Sequence, residues 1–125
     1  MTIRSYRDLR VWQAGMDLAE NAYRLSKKFP ASEIYGLTSQ IRRSATSVPA
    51  NIAEGYGRES TRSYIQFLKT ARGSLRELET HVLLAQRIGL IDATDSTDLI
   101  KKAESIGKML SALIKSIGAT RPPTN

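Results

Sequence analysis

Apolar residues recur every three or four positions along four segments of the chain. Leu9, Trp12, Met16, Ala19, Tyr23 and Ser26 make the first series, the spacing of an inward stripe on a bundle helix. Phe29-Pro30 stops it, because proline disfavours the α conformation in the residue before it. Ser32 is placed to cap a second helix whose stripe runs Ile34, Leu37, Ile41, Ala45, Val48 and Ile52, with Gly55 and Gly57 ending it. Ser60 is placed to cap a third, buried along Tyr64, Phe67, Ala71, Leu75, Leu78, Val82 and Ala85. Gly89 suits the left-handed position after that helix. Thr94 or Asp95 then caps a fourth, buried along Leu99, Ala103, Ile106, Leu110, Leu113 and Ile117. Asp95 and Asp98 fall in its first turn, where the helix dipole favours negative charge. No stretch alternates with period two for long enough to predict a strand. Short connections favour antiparallel neighbours, so the pattern predicts an all-α fold, an antiparallel up-down four-helix bundle over residues 1–118. The remainder, 119–125, reads as a disordered C-terminal tail.

The second segment breaks its own pattern. In QIRRSATSVPANIAEGYGR, residues 40–58, Pro49 stands among helix-spaced apolar residues. It removes the amide that would bond the Ala45 carbonyl, which predicts a bend. The Ser44, Thr46 and Ser47 hydroxyls, or Asn51 and Glu54, are expected to satisfy the groups set free. On a straight helix Thr46, Ala50, Ala53 and Gly57 gather on a second face, roughly 140° from the core stripe. Small residues let another helix come close, so this face is a candidate oligomer interface. Arg42 and Arg43 flank it, each by about 50°. The same kink also fits a helix that merely curves round the monomer's own core.

Composition adds limits. The 125 residues are 41% hydrophobic, enough for one domain with a core. Cysteine is absent, which excludes disulfides, thiolate metal sites and a cysteine nucleophile. The N-terminus lacks the pattern of a signal peptide, and no run approaches the roughly 20 apolar residues that span a bilayer; a cytoplasmic protein with no membrane contact is expected. The one histidine, His81, is preceded three residues earlier by Leu78, so no Glu-x-x-His metal pair forms. Glu77 and His81 would supply two ligands at most, and a surface pair explains them better. The glycines of EGYGR fit neither dinucleotide nor phosphate-loop spacing, and no nucleophile elbow occurs. No catalytic residue, metal or cofactor is therefore expected.

Charge points toward an anionic partner. Nineteen Lys and Arg stand against twelve Asp and Glu, a formal charge of +7. Arg62, Lys69 and Arg76 repeat every seven residues on the third helix, with Arg72 beside the line; Lys101, Lys108 and Lys115 do so on the fourth. Seven residues are almost two turns, so each set is one lengthwise stripe. Such stripes suit a phosphate backbone, and they equally suit an ordinary solvated bundle face. One Trp, five Tyr and two Phe leave little for base stacking, which favours backbone or shape recognition over sequence reading.

Three runs together, DLRVWQAGMDLAENAYRL, then FPASEIYGLTSQIRRSATSVPANIAEGYGR, then SYIQFLKTARGSLRELETHVLLAQRIGLI, resemble the bacterial four-helix bundle family of 23S rRNA intervening-sequence proteins. The likeness covers about residues 6–117 and is carried by YGL-x-x-Q-x-RR, NIAEG-x-GR and GSL-x-ELE. The chain is also similar to the accessory protein of diversity-generating retroelements. The resemblance implies a homo-oligomeric, pentameric barrel of bundles, and no catalytic residues to carry over. The leading expectation is a non-enzymatic scaffold that binds RNA or DNA through phosphate contacts. Its candidate residues are Arg42, Arg43, Arg58, Arg62, Lys69, Arg72, Arg76, Lys101, Lys108 and Lys115. The other expectation is a module that recruits another protein without touching nucleic acid.

Overall fold

A computed structural model describes residues 2–120. Four α-helices run Arg10–Ser26 (α1), Leu37–Tyr56 (α2), Thr61–Arg87 (α3) and Ala93–Thr120 (α4), and one-turn 3-10 helices precede α1 and α2 at Tyr6–Asp8 and Ala31–Glu33. Each helix packs on its sequence neighbours, and α4 closes on α1. The pairs Gly15–Pro49 with Ser26–Arg42, Ser47–Ser74 with Gly55–Phe67, and Arg72–Ser111 with Arg76–Gly107 make successive helices antiparallel. The result is the expected four-helix bundle. Its core is one continuous cluster from Val11 to Ile117.

Local chemistry sets the boundaries. The Ser60 hydroxyl accepts the Ser63 amide at 3.1 Å and caps α3. At the other end of α3, Gly89 takes φ +84°. The Leu90 amide donates to the Ala85 carbonyl and the Gly89 amide to that of Gln86, a Schellman closure. Two expected caps move. Ser32 lies in the 3-10 turn, and α2 begins after Gly36, where the Glu33 carboxylate accepts the Leu37 amide at 3.1 Å. Ile34 therefore sits outside α2 and is 48% exposed, and Tyr35 is 94% exposed. At α4 the Asp92 carboxylate accepts the Asp95 amide at 2.8 Å, so capping begins two residues before the expected Thr94. The helix also runs past residue 118, through Ala119 and Thr120. The rest of the expected tail, 121–125, lies outside the described residues.

The inward face of α1 differs from the expected one. Val11, Gly15, Leu18 and Ala22 point inward with Ala19 and Ser26, while Met16 and Tyr23 are 46% and 42% exposed. Two helical series overlap in this segment, and the one with the smaller residues wins. Gly15 faces the Pro49 ring, where a Cβ would stand in ordinary contact at 3.5 Å. The bulkier Trp12, Met16 and Tyr23 are left on the flank. On α3, similarly, Leu68 fills the core position expected of Phe67, which is only partly covered.

Helix α2 continues through Pro49. The hydroxyls near it bond back along their own helix. Ser44 donates to the Gln40 carbonyl at 2.8 Å and Thr46 to that of Arg42 at 2.8 Å. The Asn51 amide donates to the Ser47 carbonyl at 2.8 Å, and Glu54 pairs with Arg58 instead. These groups thus serve neighbouring carbonyls rather than the Ala45 carbonyl that Pro49 leaves.

Gly55 is a second point of close approach. A Cβ there would lie 2.7 Å from Phe67 Cβ and 3.3 Å from the Tyr64 carbonyl oxygen. Gly55→Ala gains up to about 1 kcal/mol of helix propensity but must push α2 off α3 at a cost of about 1–3 kcal/mol. A net loss of stability in urea titration is the expected outcome. A variant as stable as the parent would show that the two helices yield easily there.

Candidate nucleic-acid interface

The α3–α4 pair carries the basic stripes, and its register decides what they become. The Arg72 guanidinium donates to the Ser111 hydroxyl at 3.1 Å. Arg76 lies across Gly107, where an added Cβ would meet its Nη2 at 2.8 Å. Gly118 sits opposite Ile65. The same register puts Lys69 level with Ile114, beside Lys115.

That alignment joins two acid-free stretches. No acidic residue lies between Glu59 and Glu77, and none follows Glu104. The N-terminal half of α3, with Arg62, Lys69 and Arg72, therefore adjoins the C-terminal half of α4, with Lys108 and Lys115. Six acidic residues, Glu77, Glu79, Asp92, Asp95, Asp98 and Glu104, occupy the other half of the pair. Arg76 sits at the border, in an ion pair with Glu79. A groove of about 660 Å³ crosses the seam there, lined by Arg76, Glu79, Glu104, Gly107, Lys108 and Ser111. Lys69, Lys108 and Lys115 are exposed and Arg72 is half-buried. Arg62 is exposed in the first turn of α3.

The other candidate cations go elsewhere. Arg42 is turned onto α1: its Nε donates to the Ser26 hydroxyl at 2.8 Å, and its guanidinium stacks 4.6 Å from the Tyr23 ring. Arg58 bonds Glu54 at 3.1 Å and covers the Phe67 ring at 4.7 Å. Arg43 lines a polar groove on the α2–α3 seam with Gln40, Ser44, Ser47, Ser74 and Glu77. Lys101 lies in the acidic half of α4, between Asp98 and Glu104. Among the described residues, no group of three metal-ligating side chains occurs, and no helix is long and apolar enough to cross a membrane.

The small face of α2 meets the displaced flank of α1. Thr46, Ala50 and Ala53 line a groove of about 510 Å³ with Tyr6, Trp12, Met16, Tyr23 and Pro49, and with Asp17 and Glu20 at hand. Tyr6 and Trp12 hold each other edge to face, 5.2 Å between ring centres. Gly57, fourth of the expected small residues, lies beyond this groove at the end of α2. The aromatic wall is not legible in the spacing, which places Trp12, Met16 and Tyr23 on the core stripe. The acid-free runs, by contrast, were visible in the sequence; what was missing was their alignment.

The model of the 23S rRNA-intervening sequence proteins matches residues 7–112. Among solved structures, the chain is similar to a protein of unknown function from the S23 ribosomal protein family of Bacteroides thetaiotaomicron. The two share 27% identity over 84% of this chain and 98% of that one, with a TM-score of 0.77. A comparison with curated proteins returns no match.

The Arg42 contacts carry a prediction. Arg42→Lys keeps the charge but loses the Nε donor and the flat surface over Tyr23. It should cost about 1 kcal/mol in urea titration. A variant as stable as the parent would show that these contacts do not hold α2 to α1.

Proposed function

Because the chain belongs to the 23S rRNA-intervening sequence protein family, we propose that it is a non-enzymatic, homo-oligomeric protein that binds RNA or DNA through backbone phosphates on its α3–α4 face. The observation that carries this reading is the segregation of charge along that pair. An ordinary solvated face intersperses both signs. Here the acidic residues are confined to one half, and Arg62, Lys69, Arg72, Lys108 and Lys115 stand together on the other. A polyanion laid on that half meets no carboxylate of α3 or α4. Ser111 and Ser116, on the same half of α4, supply neutral hydroxyl groups for phosphate oxygens. Aromatic residues are missing from the outer line of α3 there, which fits contact with the backbone rather than stacking on bases.

The oligomer is proposed to form through the groove between α1 and α2, with the pentamer as its expected size. Thr46, Ala50 and Ala53 let a helix of a second copy approach, and Trp12, Met16 and Tyr23 give it apolar surface to cover. A second reading, recruitment of another protein, draws on Leu83, Leu84 and Ile88. These side chains are 47–54% exposed at the far end of α3. They lie away from the cationic half, so the two readings use different surfaces.

Two measurements test these surfaces. Alanine at Lys69, Arg72 and Lys115 together should lower affinity for a labelled RNA stem-loop and reduce the salt slope by about 2–3, while Lys101→Ala changes neither. Absence of binding by the unmutated protein at low salt would remove the nucleic-acid reading. Ala50→Glu should split the assembly in light scattering while circular dichroism stays helical. A monomeric parent protein would end the oligomer reading.

A further inference from the structure

A ring with an odd number of subunits cannot be built on one self-matching surface, because a contact of that kind closes at two copies. Each copy of the proposed pentamer must offer two different surfaces, one for each neighbour. The groove between α1 and α2 is one of them. Its counterpart has to fill an apolar hollow and to suit the carboxylates beside it.

Exposed apolar residues narrow the choice. Among the described residues, the well-exposed large apolar side chains of the four helices fall in two places. Met16 and Tyr23 belong to the groove. Leu83 and Leu84, with Ile88 at the C-cap, stand at the far end of α3 and are 47–54% exposed. Leu84 and Ile88 are four residues apart, and Arg87 follows Leu83 by four and Leu84 by three, so these side chains share one surface. They project from a single helix as a ridge, whereas Trp12, Met16 and Tyr23 wall a hollow of about 510 Å³. Both surfaces are apolar enough to gain from being covered.

Charge agrees with shape. At the groove Glu20 pairs with Arg24 at 3.2 Å, while Asp17 has no ion-pair partner among the described residues. Arg87, amid the ridge, likewise has none there. The cationic half of α3–α4 suits the groove less well. It answers the carboxylates but brings no well-exposed large apolar side chain to cover Trp12.

We infer that the α1–α2 groove of one copy receives the Leu83, Leu84 and Ile88 ridge of the next, head to tail, with Arg87 set against Asp17. The inference rests on the proposed oligomer and names the surface that fills its groove.

The chain has no cysteine, so introduced thiols report this contact cleanly. Protein carrying both Ala50→Cys and Leu84→Cys, treated with a short thiol cross-linker, should give a ladder of linked chains that ends at the size of the assembly. Each single variant should give no linked species. Leu84→Glu, at a half-exposed position, should keep its helical circular dichroism and split the assembly in light scattering. Arg87→Glu should weaken assembly by about tenfold, and adding Asp17→Lys should restore it. Linking by Ala50→Cys alone would mean that groove meets groove, and the inference would fall. It would fall equally if the assembled double-cysteine variant gave no ladder. An intact Leu84→Glu assembly would also overturn it, leaving the ridge to another partner while the oligomer reading stands. A monomeric parent protein removes the inference and the oligomer reading together.

Discussion

Helix α2 is held at backbone distance from both of its neighbours, and much else follows from that. The Pro49 ring faces Gly15 of α1, and Gly55 faces Phe67 and Tyr64 of α3. Two residues before Pro49, the Ser47 hydroxyl bonds that of Ser74 at 2.8 Å. Close approach at small residues fixes rotation as well as distance. With Gly15 turned to Pro49, α1 cannot also bury Trp12, Met16 and Tyr23 fully. They become the wall of a groove whose floor is the small face of α2. The proline that looks like a defect in a helix is therefore a packing surface. Its lost hydrogen bond sits in a segment where Ser44, Thr46 and Asn51 bond neighbouring carbonyls.

On the opposite side of the bundle, side-chain length rather than closeness does the arranging. Arg72 and Arg76 reach across to Ser111 and Gly107 and tie α3 to α4 at a fixed register. The apolar stems of such chains cover the seam while their heads stay near water. Contacts of this kind leave the guanidinium groups near the surface, where they contribute both to the fold and to the local potential. The charge of the pair is consequently ordered along the bundle, cationic where α3 starts and α4 ends, acidic where they meet in their loop. The α1–α2 groove and the cationic half of α3–α4 thus belong to different helix pairs.

Much of this was legible in the chain. Helix number, the Ser60 cap, the Gly89 turn and most of the α3 and α4 core stripes follow from periodicity and turn chemistry. Errors arose where two patterns competed. In α1 a large-residue series and a small-residue series have the same spacing, and periodicity cannot rank them. At the start of α2 a capping serine was available, but Glu33 reaches the Leu37 amide and delays the helix to Gly36. Among the candidate cations, spacing gives the lengthwise stripes of α3 and α4. It could not foresee that Arg42 would stack on Tyr23 or that Arg58 would cover Phe67.

By itself, then, the sequence determined four amphipathic helices in an antiparallel bundle, a net positive charge and the absence of thiol chemistry. These depend on residue spacing and composition, which are properties of the chain. The tertiary structure decided which face of α1 is inward, which arginines are tied to the fold and which cations gather. Those depend on how closely two helices approach and at what register, and both are set by contacts between residues distant in sequence.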